Sequence, residues 1–241
     1  METLEGRRVL VSGASSGIGA ATARAVVAAG ARVALLARRE EPLRALAAEL
    51  DGVAVPADVA DLDAVIAATD RAAQELGGLD GLVAAAGLAR PGRLAAADPA
   101  DWRAMLDVNV LGLLHSLQAV IPHLTAAEHA DAIVVSSMSG RRLQSPELGV
   151  YAATKAAAHT IAEGARKELG PQGVRVTTLA PGLVETPLFD GQDEPVATRL
   201  RESAQRIGLT ADDVADRVVE LLAAPPHVLH VEVALLHRDQ P

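Results

Sequence analysis

The 241-residue sequence contains no cysteine, which excludes disulfides and thiolate metal sites and fits a reducing compartment. Aromatic side chains are nearly missing too: the chain has one tryptophan, one tyrosine and one phenylalanine. Lysine occurs only as Lys155 and Lys167, although arginine is used freely. No apolar run reaches the roughly 18 residues needed to span a bilayer, because charges or glycine break the longest ones. Met1 to Gly6 has no charged-then-apolar leader, so a cytoplasmic protein without membrane association is expected. The formal net charge of -9 argues against a nucleic-acid partner, which would need clustered Lys and Arg. No two of the seven histidines have the spacing and helical context of a zinc site, and no metal is expected. Half of the residues are apolar, enough for a folded core, and the length requires no second domain. Residues 1–241 are therefore expected to form a single domain.

Along the chain, short β-branched and apolar runs alternate with helical stretches. Strands are predicted at 8–12, 32–37, 52–56, 79–87, 131–136, 174–179 and 227–236. This alternation predicts an α/β fold with a parallel sheet covered on both faces. The first strand runs into Gly13-Ala14-Ser15-Ser16-Gly17-Ile18-Gly19 and then an alanine-rich helix. Such a strand, glycine turn and helix make an anion site, since free backbone N–H groups and the helix dipole converge there. The G-x-x-x-G-x-G spacing is neither a P-loop nor the G-x-G-x-x-G of other dinucleotide folds. The second strand ends in Ala37-Arg38-Arg39, without the acidic residue that takes a ribose 2′-hydroxyl. Arginine there suits a 2′-phosphate and points to NADP(H) over NAD(H), with Arg38 preferred because it is nearer the strand end. Asp61 and Asp98 are predicted helix caps, Asp98 with Pro99 at the first helical position. Thr210 to Asp213 approximates a capping box. Residues 188–208 are weakly patterned, which predicts a substrate loop or lid at about 186–209.

The only tyrosine stands four residues before one of the two lysines, in Tyr151-Ala152-Ala153-Thr154-Lys155. The surrounding 150–169 stretch favours a helix, on which these two side chains share a face. An ammonium beside a phenol favours the phenolate and is expected to lower the tyrosine pKa, so that it can pass a proton to or from a substrate oxygen. The pentapeptide alone equally admits a half-buried tyrosine next to a solvated lysine.

Taken together, Ser12 to Gly19, Asp58-Val59, Asn109, Ser137, Tyr151, Lys155 and Pro181-Gly182 with Thr186 resemble the short-chain dehydrogenase/reductase family over nearly the full length. The resemblance implies a Rossmann fold, a doubly wound seven-stranded parallel sheet, and an NAD(P)-dependent oxidoreductase acting on a small carbonyl/alcohol pair. It also implies a homodimer or homotetramer, which the alanine-dense helices at 101–120 and 150–169 would allow to pack closely. Carried over by position, Tyr151 would be the general acid or base and Ser137 would hydrogen-bond the substrate oxygen. Lys155 would bind the nicotinamide ribose and Asn109 would support a relay water. The cofactor would be held by Gly13, Ser15, Ser16, Gly17, Ile18, Gly19, Arg38, Asp58, Val59, Ala85, Gly87, Asn109, Tyr151, Lys155, Pro181, Gly182, Val184 and Thr186. Ser139 is the reserve for the active serine; Ser137 is preferred because Gly140 follows it by three and its gap to Tyr151 resembles the family's.

Two departures stand out. Ala84-Ala85 replaces the family's usual asparagine pair, which puts rigidity and cofactor affinity there in question. The terminal strand lacks the usual glycine pair, and the tail resembles the subgroup containing clavulanic acid dehydrogenase and the NADP-dependent hydroxy-acid dehydrogenases. Arg141 and Arg142, just past the serine, would meet an acidic substrate or lie in a solvated loop. Trp102 and Phe189 read as packing groups, Phe189 at the start of the lid. Beside a ketoreductase, the same fold admits a non-catalytic NADP(H) sensor, or an epimerase or dehydratase using the same residues.

Overall fold

The computed structural model describes residues 3–192 and 195–240. Seven strands form one sheet in the order β3-β2-β1-β4-β5-β6-β7, every neighbouring pair parallel. They are β1 (Arg8–Ser12), β2 (Arg32–Ala37), β3 (Val53–Pro56), β4 (Gly81–Ala84), β5 (Ala130–Val135), β6 (Val174–Pro181) and β7 (Glu232–Leu235). The helices are α1 (Gly17–Ala28), α2 (Glu40–Leu50), α3 (Leu62–Leu76), α4 (Pro99–Leu106), α5 (Gly112–Leu124), α6 (Gly149–Leu169), α7 (Pro195–Ile207) and α8 (Ala211–Ala223).

Side chains alternate across each strand, and the two faces build two separate cores. Leu10, Leu36 and Leu82 point to the face covered by α3, α5 and α6. Val9, Val11 and Leu35 point to the face covered by α1, α2 and α8. Because β1 lies between β2 and β4, the chain reverses direction across the sheet after β3. Ligands of such sheets bind at that switch point, outside the carboxyl ends of the strands.

The predicted caps form. Asp61 accepts from Ala64 N, Asp98 accepts from Ala100 N ahead of Pro99, and Thr210 and Asp213 make a reciprocal capping box. Elsewhere the structure departs from expectation. β4 stops at Ala84, and 85–87 leave the sheet as the small residues begin. β7 covers only 232–235, because it is an edge strand bonded to β6 alone and Pro225-Pro226 precede it. The 188–208 stretch is more ordered than its pattern suggests: Pro187–Phe189 makes a 3-10 turn, and α7 buries Val196, Ala197 and Ala204 on one side.

The helix that begins at Pro99 also differs. Between α4 and α5 the turn widens to a π-helix over Asp107–Leu111, and α5 carries Pro122 within its last turn, up to Leu124. Pro99–Leu124 is thus one 26-residue helix with a mean hydropathy of 1.5 over its most apolar 18 residues. By length and composition it could cross a membrane, although 44% of that window is buried inside the protein. Asp101, Arg103 and Asp107 interrupt its start, so it does not read as an apolar run.

Candidate active site

At the carboxyl end of β1 the chain must turn sharply under β4. Gly13 has φ +69°, and a Cβ there would lie 2.7 Å from the Ala86 backbone, so only glycine lets the two loops meet. Gly17 has φ +54°, and a Cβ on it would stand 3.3 Å from the Thr186 side chain. That contact brings the Pro181-Gly182-x-x-x-Thr186 segment over the glycine turn. Ser16 precedes α1 without capping it, and no acidic residue sits in the first turn, so the leading amides stay available to an anion. This residue set fits a dinucleotide pyrophosphate.

The ribose side is arranged differently from expectation. Arg38 is largely exposed and faces Asp58 at 3.4 Å. Arg39 is the arginine tied to the glycine turn, donating from Nε to Ser15 Oγ at 3.2 Å and from Nη2 to the Ser15 carbonyl at 3.1 Å. Both guanidinium groups therefore border the end of β2, where Ala37 leaves no competing carboxylate.

Tyr151, Lys155 and Ser137 converge opposite this turn, all nearly fully buried. Tyr151 and Lys155 lie one turn apart on α6, with Lys155 Nζ 6.0 Å from the phenol ring centroid. Nζ donates to the Val135 carbonyl at 3.0 Å, at the end of β5. Ser137 follows β5, and its hydroxyl lies on the phenol's side, close enough to oppose the rise of the Tyr151 pKa. Ser139 donates its backbone N–H to Ser137 Oγ at 3.1 Å.

The electrostatics correct one expectation. Burial pushes the Tyr151 phenol up to about 12, and the nearby Ser137 hydroxyl only partly opposes this. Burial also pushes Lys155 down to about 8. The ammonium points to a backbone carbonyl, not to the phenol oxygen, so it does not draw the tyrosine toward phenolate in this state. A neutral phenol next to a partly destabilised ammonium is the resting arrangement.

Asn109 sits in the π-helical turn, a kind of distortion common at functional sites. Its Oδ1 accepts from Leu88 N at 2.7 Å, and its Nδ2 donates to Leu88 O at 2.8 Å and to Thr154 Oγ1 at 2.9 Å. This clamp holds the 85–88 segment from outside. A Cβ on Gly87 would be 3.6 Å from Lys155 Nζ and 3.8 Å from Asn109 Oδ1. Ser12 Oγ accepts weakly from Ala86 N at 3.4 Å. Ala84-Ala85 therefore removes side-chain bonds without freeing the segment. It also leaves a polar void of about 10 Å³ lined by Ser12, Ala84, Asn109, Ser116 and Lys155, room for about one water.

Ser136 and His159 stand beside these groups without a sequence signal. Ser136 Oγ donates to the Lys155 carbonyl at 3.0 Å and docks the end of β5 on α6. His159, one turn past Lys155, lies 3.4 Å through Nε2 from the Ser137 carbonyl, and its Nδ1 has no hydrogen-bond partner. Arg141 turns away to pair with Glu232, so it does not face Tyr151. Val184 bridges to Leu209, and Gln240 Oε1 accepts from Leu183 N at 3.1 Å, pinning the tail to the Pro181-Gly182 turn. Asp58 accepts from Ala60 N, and Val59 is buried where α5 passes.

Residues 7–197 match the short chain dehydrogenase family. An uncharacterised oxidoreductase of Staphylococcus haemolyticus is 34% identical over 98% of this chain and 99% of its own. Glycine betaine reductase ATRR of Emericella nidulans is 36% identical over 99% of this chain, which spans only 19% of that protein's length. A short chain dehydrogenase of Burkholderia cenocepacia J2315, solved in complex with NADP, superposes with a TM-score of 0.85 at 33% identity. That superposition covers 97% of this chain and 98% of the other. The glycine turn, the switch-point crevice and these matches together establish that the chain belongs to the short-chain dehydrogenase/reductase family of oxidoreductases, whose fold binds NAD(P) and acts on small molecules.

Proposed function

We propose that the protein is an NADPH-dependent reductase of ketones or aldehydes, run in reverse as an alcohol dehydrogenase. The observation that carries the reading is the meeting of Ser137 and Lys155 around a buried, protonated Tyr151 across from Gly87 and Asn109. NADPH, when bound, supplies a hydride to the carbonyl carbon. The remaining work falls to the chain. Tyr151, held as the neutral phenol, donates its proton to the substrate oxygen, and Ser137 donates a second hydrogen bond as charge develops there. In the oxidation direction Tyr151 must give up that proton first, and the nearby Lys155 ammonium then stabilises the phenolate. Lys155 would also hold the nicotinamide ribose, so its loss would harm binding and chemistry together. Asn109 holds Leu88 and Thr154, and through them the wall beside the lysine.

NADPH is favoured over NADH because Arg38 and Arg39 both stand at the end of β2, one on Asp58 and one on Ser15. Residues at about 186–209, with the 3-10 turn and α7, form the lid of one domain that spans the chain. The exposed Leu106, Leu111 and Leu114 on the long helix support close packing of a second subunit, in a homodimer or homotetramer.

The test pairs a cofactor titration with Tyr151→Phe. Tighter NADPH than NADH binding is expected, together with a loss of turnover of about a hundredfold or more in the variant. Full activity in Tyr151→Phe on a cognate carbonyl would remove Tyr151 as the acid. A preference for NADH would remove the role given to the two arginines.

A further inference from the structure

On its open side Tyr151 is covered by hydrocarbon. Ala89, Met105, Leu148, Phe189 and Ala197 form one cluster with it, and Trp102 and Leu188 pack on that cluster while staying partly exposed. The chain's only three aromatic residues are thereby gathered at one place. Neither of the two large cores on the sheet faces contains an aromatic residue. The fold is thus closed with alanine, valine and leucine, and the aromatic surface is reserved for the site.

Charge is kept off this wall. Arg90 follows Ala89 but lies 3.7 Å from Asp101, and Arg93 pairs with Glu147 at 3.2 Å. Arg141 is taken by Glu232. Arg201 on α7 donates to the carbonyls of Phe189 and Gln192 and to Thr198 Oγ1. The Gln192 amide donates to the Ala89 and Leu188 carbonyls, both at 3.1 Å. Arg90, Arg93 and Arg141 are thus held by carboxylates and Arg201 by backbone carbonyls and Thr198, so each of these four is already engaged. A substrate whose oxygen reaches Tyr151 must lay the rest of its body against the apolar cluster. An unpaired carboxylate buried there would lose its hydration with nothing in return.

We propose that the substrate is an uncharged, largely apolar ketone or aldehyde whose ring or chain packs against Phe189, Trp102 and Met105. The proposal rests on the reductase reading given above. The carbonyl carbon gains the hydride and the oxygen gains the Tyr151 proton, leaving the alcohol and the oxidised cofactor. Phe189 and Leu188 belong to the 3-10 turn at Pro187–Phe189 and would form the substrate's roof.

The test uses 4-methylacetophenone and 4-acetylbenzoate, which share a frame and differ in one methyl against one carboxylate. With NADPH, kcat/KM for the methyl compound should exceed that for the carboxylate by at least about tenfold, since losing a charge's hydration outweighs any gain in contact. Equal or reversed preference overturns the substrate class and leaves the reductase reading standing. If neither compound is reduced, the reductase reading fails on these probes, and binding decides the present point. The lone Trp102 then reports on enzyme saturated with NADP+. Quenching by the methyl compound at concentrations where the carboxylate has no effect supports an apolar site. Equal quenching, or none by the methyl compound, overturns it. Phe189→Arg should narrow the difference between the two probes to within about threefold, because it supplies the missing cation. An unchanged difference in that variant overturns the role of Phe189 as the wall.

Discussion

At the amino ends of β1, β4, β5 and β6, two buried aspartates hold three arginines. Arg7 Nε meets Asp80 at 2.7 Å and Arg7 Nη2 meets Asp131 at 2.9 Å, while Arg8 Nε meets Asp80 at 3.0 Å. Arg175 Nε meets Asp131 at 2.8 Å and its Nη1 donates to the carbonyls of Ala224, Pro225 and Val228. At the carboxyl ends of the same strands, Lys155 has one backbone carbonyl and no acid, Tyr151 carries a raised pKa, and His159 leaves a ring nitrogen unpaired. Both ends bury polar groups on the same scaffold. One satisfies them and so locks four strands together. The other leaves them short of partners, which is the condition a reacting group needs.

The largest effect should come from breaking the satisfied end. Asp131→Ala takes the paired acid from the mostly buried Arg175 and one of two from Arg7, and should cost on the order of 3–5 kcal/mol in urea unfolding. Cofactor affinity of the folded fraction should stay unchanged. A loss under about 1 kcal/mol would mean the two ends are not built on different rules.

At the other end the expectation reverses. Tyr151→Phe should raise the reaction barrier by about 3 kcal/mol or more while leaving the thermal midpoint in place. Lys155→Met should make the protein more stable at pH 7, by on the order of 2 kcal/mol, since it removes a buried ammonium. The size of this gain depends on pH. Folded Lys155 titrates near 8 against an ordinary 10.5, so below pH 8 the unfolded chain carries the charge at no cost and the folded one does not. The wild type recovers that stability as pH rises from about 8 to 10.5, and the advantage of the variant should fade over the same window. Asn109→Ala is the informative mixed case. It frees the Leu88 N–H and C=O in a buried place and should cost about 1–3 kcal/mol, as at a satisfied site, together with activity.

These pairs also mark what the sequence could carry. The strand positions, the caps at Asp61, Asp98 and Thr210, and the glycine turn follow from local chemistry and period, so they are legible in one dimension. The shared face of Tyr151 and Lys155 is legible for the same reason. Where Nζ points is not, because it depends on the Val135 carbonyl twenty residues earlier in the chain. The expectation of a lowered tyrosine pKa failed on that point: helical spacing gives proximity, whereas burial sets which charge state is cheaper. That Arg39 bonds to the glycine turn was not legible, because its partner, Ser15, lies in the loop of the neighbouring strand. The order of α7 was hidden because its buried residues meet a cluster assembled from β4, α4 and α6 loops. The bonds by which Asn109 holds Leu88, next to Ala84-Ala85, were not legible because Asn109 sits in a π-turn that no local pattern announces.

His159 gives the smallest effect and the finest division between the two ends. It is buried, yet it holds the Ser137 carbonyl only at 3.4 Å and faces Glu232 at 3.8 Å through a nitrogen with no bond. Burial lowers its pKa, opposed by the bond to the Ser137 backbone, and Arg141, Glu232 and Lys155 all face it. The folded ring therefore stays neutral while the unfolded one takes up a proton as pH falls through about 6.5. Stability contributed by this group is thus lost on acidification. His159→Leu should be neutral or slightly stabilising at pH 7.5, within about 1 kcal/mol, and its advantage should grow below pH 6.5. If the ring also sets the serine, kcat should fall in His159→Leu and recover in His159→Gln, which restores a donor toward the Ser137 carbonyl. Destabilisation of the leucine variant at pH 7.5 by more than about 2 kcal/mol would place His159 with the satisfied end instead, a ring kept for its bonds and not for its reach.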